Sequence, residues 1–305
     1  MSSPCQGVIL AAGHGARMGA IADRYPKALL PVCNIPLIHR HLDTLRRLGV
    51  RDVIIVVGHL GDQIRQALGN GEAWRLSITY AEQTDRQGLA HAVGQLEAYL
   101  DRPFYLLLGD IYFEFDHLDA LRAAFETHRA AVALAVREDE DLDAVRRNFS
   151  VETDAAGRVS RLIEKPAHPP TRCKGCGLYL ADRRLFDAIR ETPRSALRNE
   201  YELTDAIQRL VEHGAPVHAV PMVAWDMNIT EPNDLVTCSV RELARRGLPH
   251  LLGHDCRLAP GCAINGSVLG DGVRVLHPIR LERCVVLPGT IVDATEDYTG
   301  VLIAP

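Results

Sequence analysis

Short, wholly apolar runs alternate with amphipathic stretches along the first half of the chain. Residues 7–10 (GVIL), 53–57 (VIIVV), 104–108 (FYLLL) and 131–136 (AVALAV) have no polar position, and 77–80 (SITY) is a fainter version. Such runs predict strands buried on both faces. Between them, residues 36–48 place Leu37, Ile38, His41, Leu42, Leu45 and Leu48 on one side at helical spacing. Residues 89–100 and 118–128 also read as helices. Strands of this kind, alternating with amphipathic helices, predict a parallel sheet covered on both faces. In such sheets ligands bind beyond the carboxyl ends of the strands. The glycine-rich stretch after residue 10 and Gly109-Asp110 both fall at such ends.

From residue 148 to 181 the chain becomes strand-rich (FSVETD, RVSRLIEKP, GCGLYLA), and Asp154-Ala-Ala-Gly157 suits a hairpin connection. Helices are predicted at 183–189, 202–213 and 232–246, with a strand at 216–221. After Pro249 the period changes. Leu269, Val275, Leu281 and Leu287 recur every six residues, as do Val273, Ile279, Val285 and Ile291. This is neither helical nor simple strand periodicity. It predicts hexapeptide-repeat β-helix coils of about eighteen residues, so only two or so of them. An irregular β tail is the plainer alternative. The expected division is 1–248 and 249–305.

Composition narrows the classes. The 305 residues are 47% hydrophobic and 24% charged, as in ordinary globular proteins. A net charge of −5 gives no chain-wide grip on nucleic acid or anionic membrane, so neither is an expected partner. No apolar run has membrane-spanning length, and the start lacks a basic region followed by an apolar core. A cytoplasmic protein is expected. The eight cysteines then read as reduced thiols. Cys173-Lys-Gly-Cys176 has metal-knuckle spacing, but no second pair completes it.

Leu10-Ala-Ala-Gly-His-Gly-Ala-Arg-Met-Gly19 carries the chemistry. A dinucleotide fingerprint needs a third glycine where Met18 stands, and a carboxylate where the second strand ends Val57-Gly58-His59. A Walker A loop needs a terminal Gly-Lys-Ser/Thr, which is missing. The third reading joins the loop to Arg17 and Lys27. These two cations flank a nest of backbone N–H groups and suit a triphosphate plus a second phosphorylated substrate.

LAAGHGARM followed by Tyr25-Pro26-Lys27 resembles the signature of sugar-1-phosphate nucleotidyltransferases. Further segments resemble that family in order: Gln83–Ala92 (QTDRQGLAHA), Leu108-Gly109-Asp110, Glu164-Lys165-Pro166, Gly177-Leu-Tyr179, Glu202-Leu-Thr-Asp205 and Asn228–Leu235 (NITEPNDL). The tail resembles the β-helix appended to several members. The resemblance implies a Rossmann-like, mostly parallel α/β sheet with a short left-handed β-helix tail. It also implies the reaction of an NTP with a sugar 1-phosphate to give an NDP-sugar and pyrophosphate.

It assigns roles as well. Arg17, Lys27, Asp110 and Lys165 are the expected catalytic residues. Leu10, Ala11, Gly13, Gly15, Arg17, Gln83, Gly88 and Asp110 would bind the nucleotide, and Glu164, Lys165 and Gly177 the sugar phosphate. Mg²⁺ is the implied cofactor, held by Asp110 and a second oxygen ligand. The family's second ligand is usually an aspartate. Here the register puts Asn228 at that place, with Asp226 two residues away as the alternative. His14 lies in the loop and is expected to be structural. Ala16 stands where relatives often carry a hydroxyl.

Other readings share the fold. The acceptor could be a polyol, cyclitol or phosphocholine-like phosphate. A non-catalytic regulatory subunit would be expected to lose Arg17, Lys27, Asp110 or Lys165, and all four are present. Acyl transfer in the tail would need a longer β-helix. The exposed end of a short β-helix leads to the expectation of a homo-oligomer.

Overall fold

The computed structural model describes residues 5–196 and 198–305. At its centre lies a nine-stranded sheet. Gln6–Leu10 pairs in parallel with Asp52–Val57 on one side and Phe104–Leu108 on the other, and Ser77–Glu82 extends the parallel set beyond Asp52–Val57. Their carboxyl ends therefore lie along one edge. That edge holds the start of the glycine loop, Gly58, Gln83 and Gly109-Asp110.

Both faces of the Gln6–Leu10, Asp52–Val57 and Phe104–Leu108 strands are covered because each is apolar after its first residue or throughout, whereas Ser77–Glu82 at the sheet edge is mixed. Val8, Ile54, Val56 and Leu106 belong to one core with Ala90 and Val93 of the helix Leu89–Gly94. Ile9, Ile55, Val57 and Leu107 belong to the other, with Ile38, Leu42 and Leu45 of the helix Leu37–Arg47. The alternation of successive residues between the two cores is the strand period of two.

The sheet is mostly parallel, with one reversal that the apolar runs did not announce. Cys173–Ala181 runs antiparallel to Phe104–Leu108 and to Val132–Glu138, and so joins two parallel groups. The Phe149–Thr153 and Val159–Glu164 strands form the expected hairpin. Its tight connection is held by Asp154, whose Oδ1 accepts from the backbone N–H groups of Ala156 and Arg158, 2.9 Å each.

Two further strands, Ile111–Phe115 and Val223–Asn228, escaped the sequence reading and form a separate antiparallel ribbon. The ribbon pairs Asn228 with Ile111, and the Ile229 N–H donates to the Asp110 carbonyl at 2.8 Å. The helices Gly61–Leu68 and Leu142–Arg147 were also not foreseen. The second buries only Val145, too little to show as an apolar stripe. The helix expected over 89–100 stops at Gly94 and resumes as a 3₁₀ turn, Glu97–Tyr99. Gly94 weakens the helix, and a Cβ there would lie 3.1 Å from Ile189 of the neighbouring helix.

From Leu251 onward the chain folds into three parallel sheets, the flat sides of a coil, consistent with a left-handed β-helix. The repeat is shorter than eighteen. Leu251, Val268, Val285 and Leu302 pair one above another, each seventeen residues after the last. That length allows three turns. It also takes the inward column through Leu269, Val275 and Leu281 and then, after five residues, to Val286 and on to Val292. The strict six-residue ladders accordingly fail at their ends. Ile291 is 54% exposed, and Leu287 is buried outside the coil.

One charged knot ties the long helix Pro232–Arg246 to the sheet domain. Glu242, fully buried, accepts from the Tyr112 hydroxyl at 2.7 Å and from Arg245 and Arg246, with Arg40 at 3.5 Å. Burial alone would raise its pKa. The hydrogen bonds from Arg245, Tyr112 and Arg246 outweigh that and hold it at about 2. This carboxylate is depressed, so its contribution is present above the ordinary carboxylate pKa and is lost as pH falls toward 2. Glu242→Gln should cost about 3 kcal/mol at neutral pH, because three arginines then face no anion. Urea unfolding at pH 7 and at pH 3 checks this, and the gap between variant and parent should narrow at the lower pH.

Candidate active site

The glycine loop leaves the Gln6–Leu10 strand and enters a 3₁₀ turn, Ala16–Ile21, that carries Arg17 on its exposed side. Gly15 stands before that turn at φ +73°, and a Cβ there would lie 2.6 Å from Cδ of Lys27. Glycine is therefore required twice, for the left-handed backbone and for the lysine stem that crosses it. Lys27 Nζ reaches Asp110 at the end of the Phe104–Leu108 strand and donates to Oδ2 at 2.5 Å. This pair stands where two cavities meet.

The smaller cavity, about 330 Å³, is walled by Leu10, Ala11 and Gly13 of the loop and by Gln83 and Gly88. Gly88, at φ +112°, serves first as a close approach of backbone to backbone. A Cβ there would lie 2.4 Å from the Tyr201 carbonyl oxygen. The larger cavity, about 750 Å³, is lined by Arg17, Glu164, Lys165 and Gly177. Gly177 adopts φ +73°, and a Cβ would collide with Ile111 at 2.5 Å. Lys27, Asp110, Asn228 and Arg198 line both cavities. The fold thus gathers every residue expected from the sequence to bind or catalyse, with Gly15 just beneath the lysine stem.

Lys165 holds a left-handed backbone, φ +41°, rare for a side chain of its size. Its N–H is fixed to the Asn148 carbonyl at 2.7 Å, and its Nζ lies 3.9 Å from Glu164 Oε1. Burial pushes the Glu164 carboxyl up from its usual range, and a 2.8 Å hydrogen bond from the Thr204 hydroxyl partly offsets it.

Asp226 and Asn228 separate clearly. The Asp226 carboxylate is buried and fully engaged. Lys174 Nζ donates to both its oxygens at 2.8 Å, and Arg137 Nε to one at 2.6 Å. Arg137 and Lys174 also pair with Asp139. By contrast, Oδ1 of Asn228 is buried without a hydrogen-bond partner. Asp110 and Asn228 both line the space shared by the cavities, and each carries a hard side-chain oxygen.

The sequence reading missed Arg137, Asp139, Lys174 and Arg198, all of which line the larger cavity. A signal existed for Lys174. It is a lysine inside a strand that otherwise reads as buried, and a charge is tolerated there only when paired. It is 2% exposed. The Cys173 and Cys176 thiols lie three residues apart on this strand and enter opposite cores, so they do not form a pair. Burial pushes both thiols up. Among the described residues no group of three His, Cys, Asp or Glu is placed to hold a metal. His14 stacks on His59 with ring centroids 4.1 Å apart and lines neither cavity.

The chain is similar to the UTP–glucose-1-phosphate uridylyltransferase AglF of Haloferax volcanii, 33% identical over 75% of this chain and 93% of that protein. It is also 33% identical to a glucose-1-phosphate thymidylyltransferase of Streptomyces antibioticus, over 96% of this chain and 80% of the relative. Among solved structures, a UDP-glucose pyrophosphorylase complexed with UDP-glucose superposes with a TM-score of 0.70 at 22% identity, covering 80% of this chain and all of that one. That likeness bears on the fold. Residues 6–240 match the family described as Nucleotidyl transferase, and the chain belongs to it.

Proposed function

We propose that this protein transfers a nucleotidyl group from an NTP to a sugar 1-phosphate, releasing pyrophosphate and an NDP-sugar. An oxygen of the sugar phosphate attacks the α-phosphorus. The new P–O bond forms as the α–β bridge breaks, and pyrophosphate carries the electron pair away. Both partners are anions, so the site has to neutralise and align them and needs little other chemistry. The observation that carries the reading is the Lys27–Asp110 pair at the junction of two cavities.

In this reading the smaller cavity takes the nucleoside. Leu10, Ala11 and Gly13 present backbone groups to it, and Gln83 its amide. Arg17 clamps the triphosphate and the departing pyrophosphate. Lys165 holds the sugar phosphate, and Glu164 accepts from sugar hydroxyls beside Gly177. Asp110 and Asn228 are the residues that fit Mg²⁺, which would neutralise phosphate charge when bound. The relatives' names agree on glucose 1-phosphate and differ in the base. Glucose 1-phosphate is thus the first acceptor to try. The cytoplasm, where NTPs are made, is the compartment this chemistry needs. Residues 249–305 serve packing rather than acyl transfer.

A pyrophosphate-release assay that crosses the common NTPs with a panel of sugar 1-phosphates tests the proposal. Release should require one NTP and one sugar phosphate together. Release from NTP alone, or silence across the panel, counts against it. Lys27→Ala and Asp110→Ala should each lower kcat/KM by about 100-fold or more while leaving the melting temperature within a few degrees. Asn228→Ala should raise the Mg²⁺ concentration for half-maximal rate by about tenfold, read from a metal titration.

A further inference from the structure

The three sides of the coil are not equivalent. On one side the outward-facing residues are Arg257, Arg274 and Ile291, and on another they include Asn265, Glu282 and Thr299. On the remaining side both columns are apolar. Leu269, Val286 and Ile303 fill the coil. Leu251, Val268, Val285 and Leu302 face out, and they are covered. They join one continuous core with Met18, Ile21, Ala22 and Tyr25, together with Leu235, Val236 and Leu243 of the long helix.

Met18, Ile21 and Ala22 belong to the segment that carries Arg17. Its 3₁₀ turn exposes Arg17 on one side and on the other buries Met18, 2% exposed, in the core that Val285, Leu287 and Leu302 complete. Two polar tethers also join this region of the chain to the tail. Arg24 Nη1 donates to the Pro305 carbonyl, and Asn34 Nδ2 donates to the Leu269 carbonyl at 2.9 Å. Gly15 and Gly19 take positive φ at +73° and +59° on either side of Arg17, and the turn's backbone is closed by the Met18 N–H to the Gly15 carbonyl at 2.8 Å and the Ala22 N–H to the Gly19 carbonyl at 3.0 Å, so a shift of its buried face carries Arg17 with it.

The geometry points to the β-helix as the buttress of the phosphate loop, with Leu302 and Arg24 as positioning residues that set Arg17 for the triphosphate. This rests on the nucleotidyltransferase reading and adds a part to it. The tail acts at one subsite of the reaction, the pyrophosphate end of the NTP, and leaves the sugar end alone. Misplacing a charged clamp by about an ångström has a large effect on the anion it binds.

The test uses the full chain and steady-state kinetics in both directions. Leu302→Ala and Arg24→Gln should each raise KM for NTP and for pyrophosphate by about tenfold, with KM for the sugar 1-phosphate within about twofold of the parent. Arg24→Lys, which keeps a donor, should restore most of the loss. Leu258→Ala, which faces the coil interior away from the loop, should match the parent in every KM. Two results would overturn the inference in an active enzyme. One is unmoved NTP and pyrophosphate KM values in Leu302→Ala and Arg24→Gln. The other is the same shift in Leu258→Ala, which would make it a general effect of a weakened tail. A parent that turns over no NTP and sugar phosphate pair overturns the functional reading, and this inference with it.

Discussion

Mutual repulsion of two phosphate groups is the constraint that organises this molecule. Lys27, 2.5 Å from Asp110 at the junction of two cavities, places a cation where such a meeting requires one. Each depends on backbone that only the local sequence permits. Lys27 lies where it does because Gly15 lacks a side chain, and Asp110 because an apolar strand ends there. Around them stand Arg17, Lys165 and Arg198, each from a different segment, brought together by the common edge of the parallel strands.

Rigidity near that junction comes from paired buried charges as well as from apolar packing. Asp226 is held by Lys174 and Arg137 in the wall of the larger cavity, two residues before Asn228 on the same strand. The strand that carries both residues pairs with the strand that starts just after Asp110. Replacing one member of such a cluster leaves a buried charge without a partner, so these residues are coupled to the fold in a way that surface pairs are not. Glu242 plays the same part further out, where it fastens the long helix to the sheet domain.

The parallel strands and the helix Pro232–Arg246 were legible because uniform apolar runs and strong stripes leave one reading. The glycine loop and Asp110 were legible because their positions at strand ends matched a known order of motifs. What escaped shares a physical cause. Leu142–Arg147 buries one side chain, and in the ribbon of Ile111–Phe115 and Val223–Asn228 the buried positions do not alternate, so neither shows a clean period. The seventeen-residue coil was read as eighteen because a six-residue ladder holds for two sides before the five-residue step breaks it. The different surroundings of Asp226 and Asn228 could not be read from spacing, because the groups that engage Asp226 are Arg137 and Lys174, 89 and 52 residues away in sequence.

Direct attack of one phosphate on another leaves the protein no covalent part in the transfer. Neither cavity is lined by serine, cysteine or histidine among the described residues. The most direct measurement is exchange of labelled pyrophosphate into NTP, with and without sugar 1-phosphate. Exchange should occur only when the sugar phosphate is present, because the reaction must run forward to an NDP-sugar before it can return. Exchange in its absence would mean a nucleotidyl–enzyme intermediate, and would contradict the mechanism.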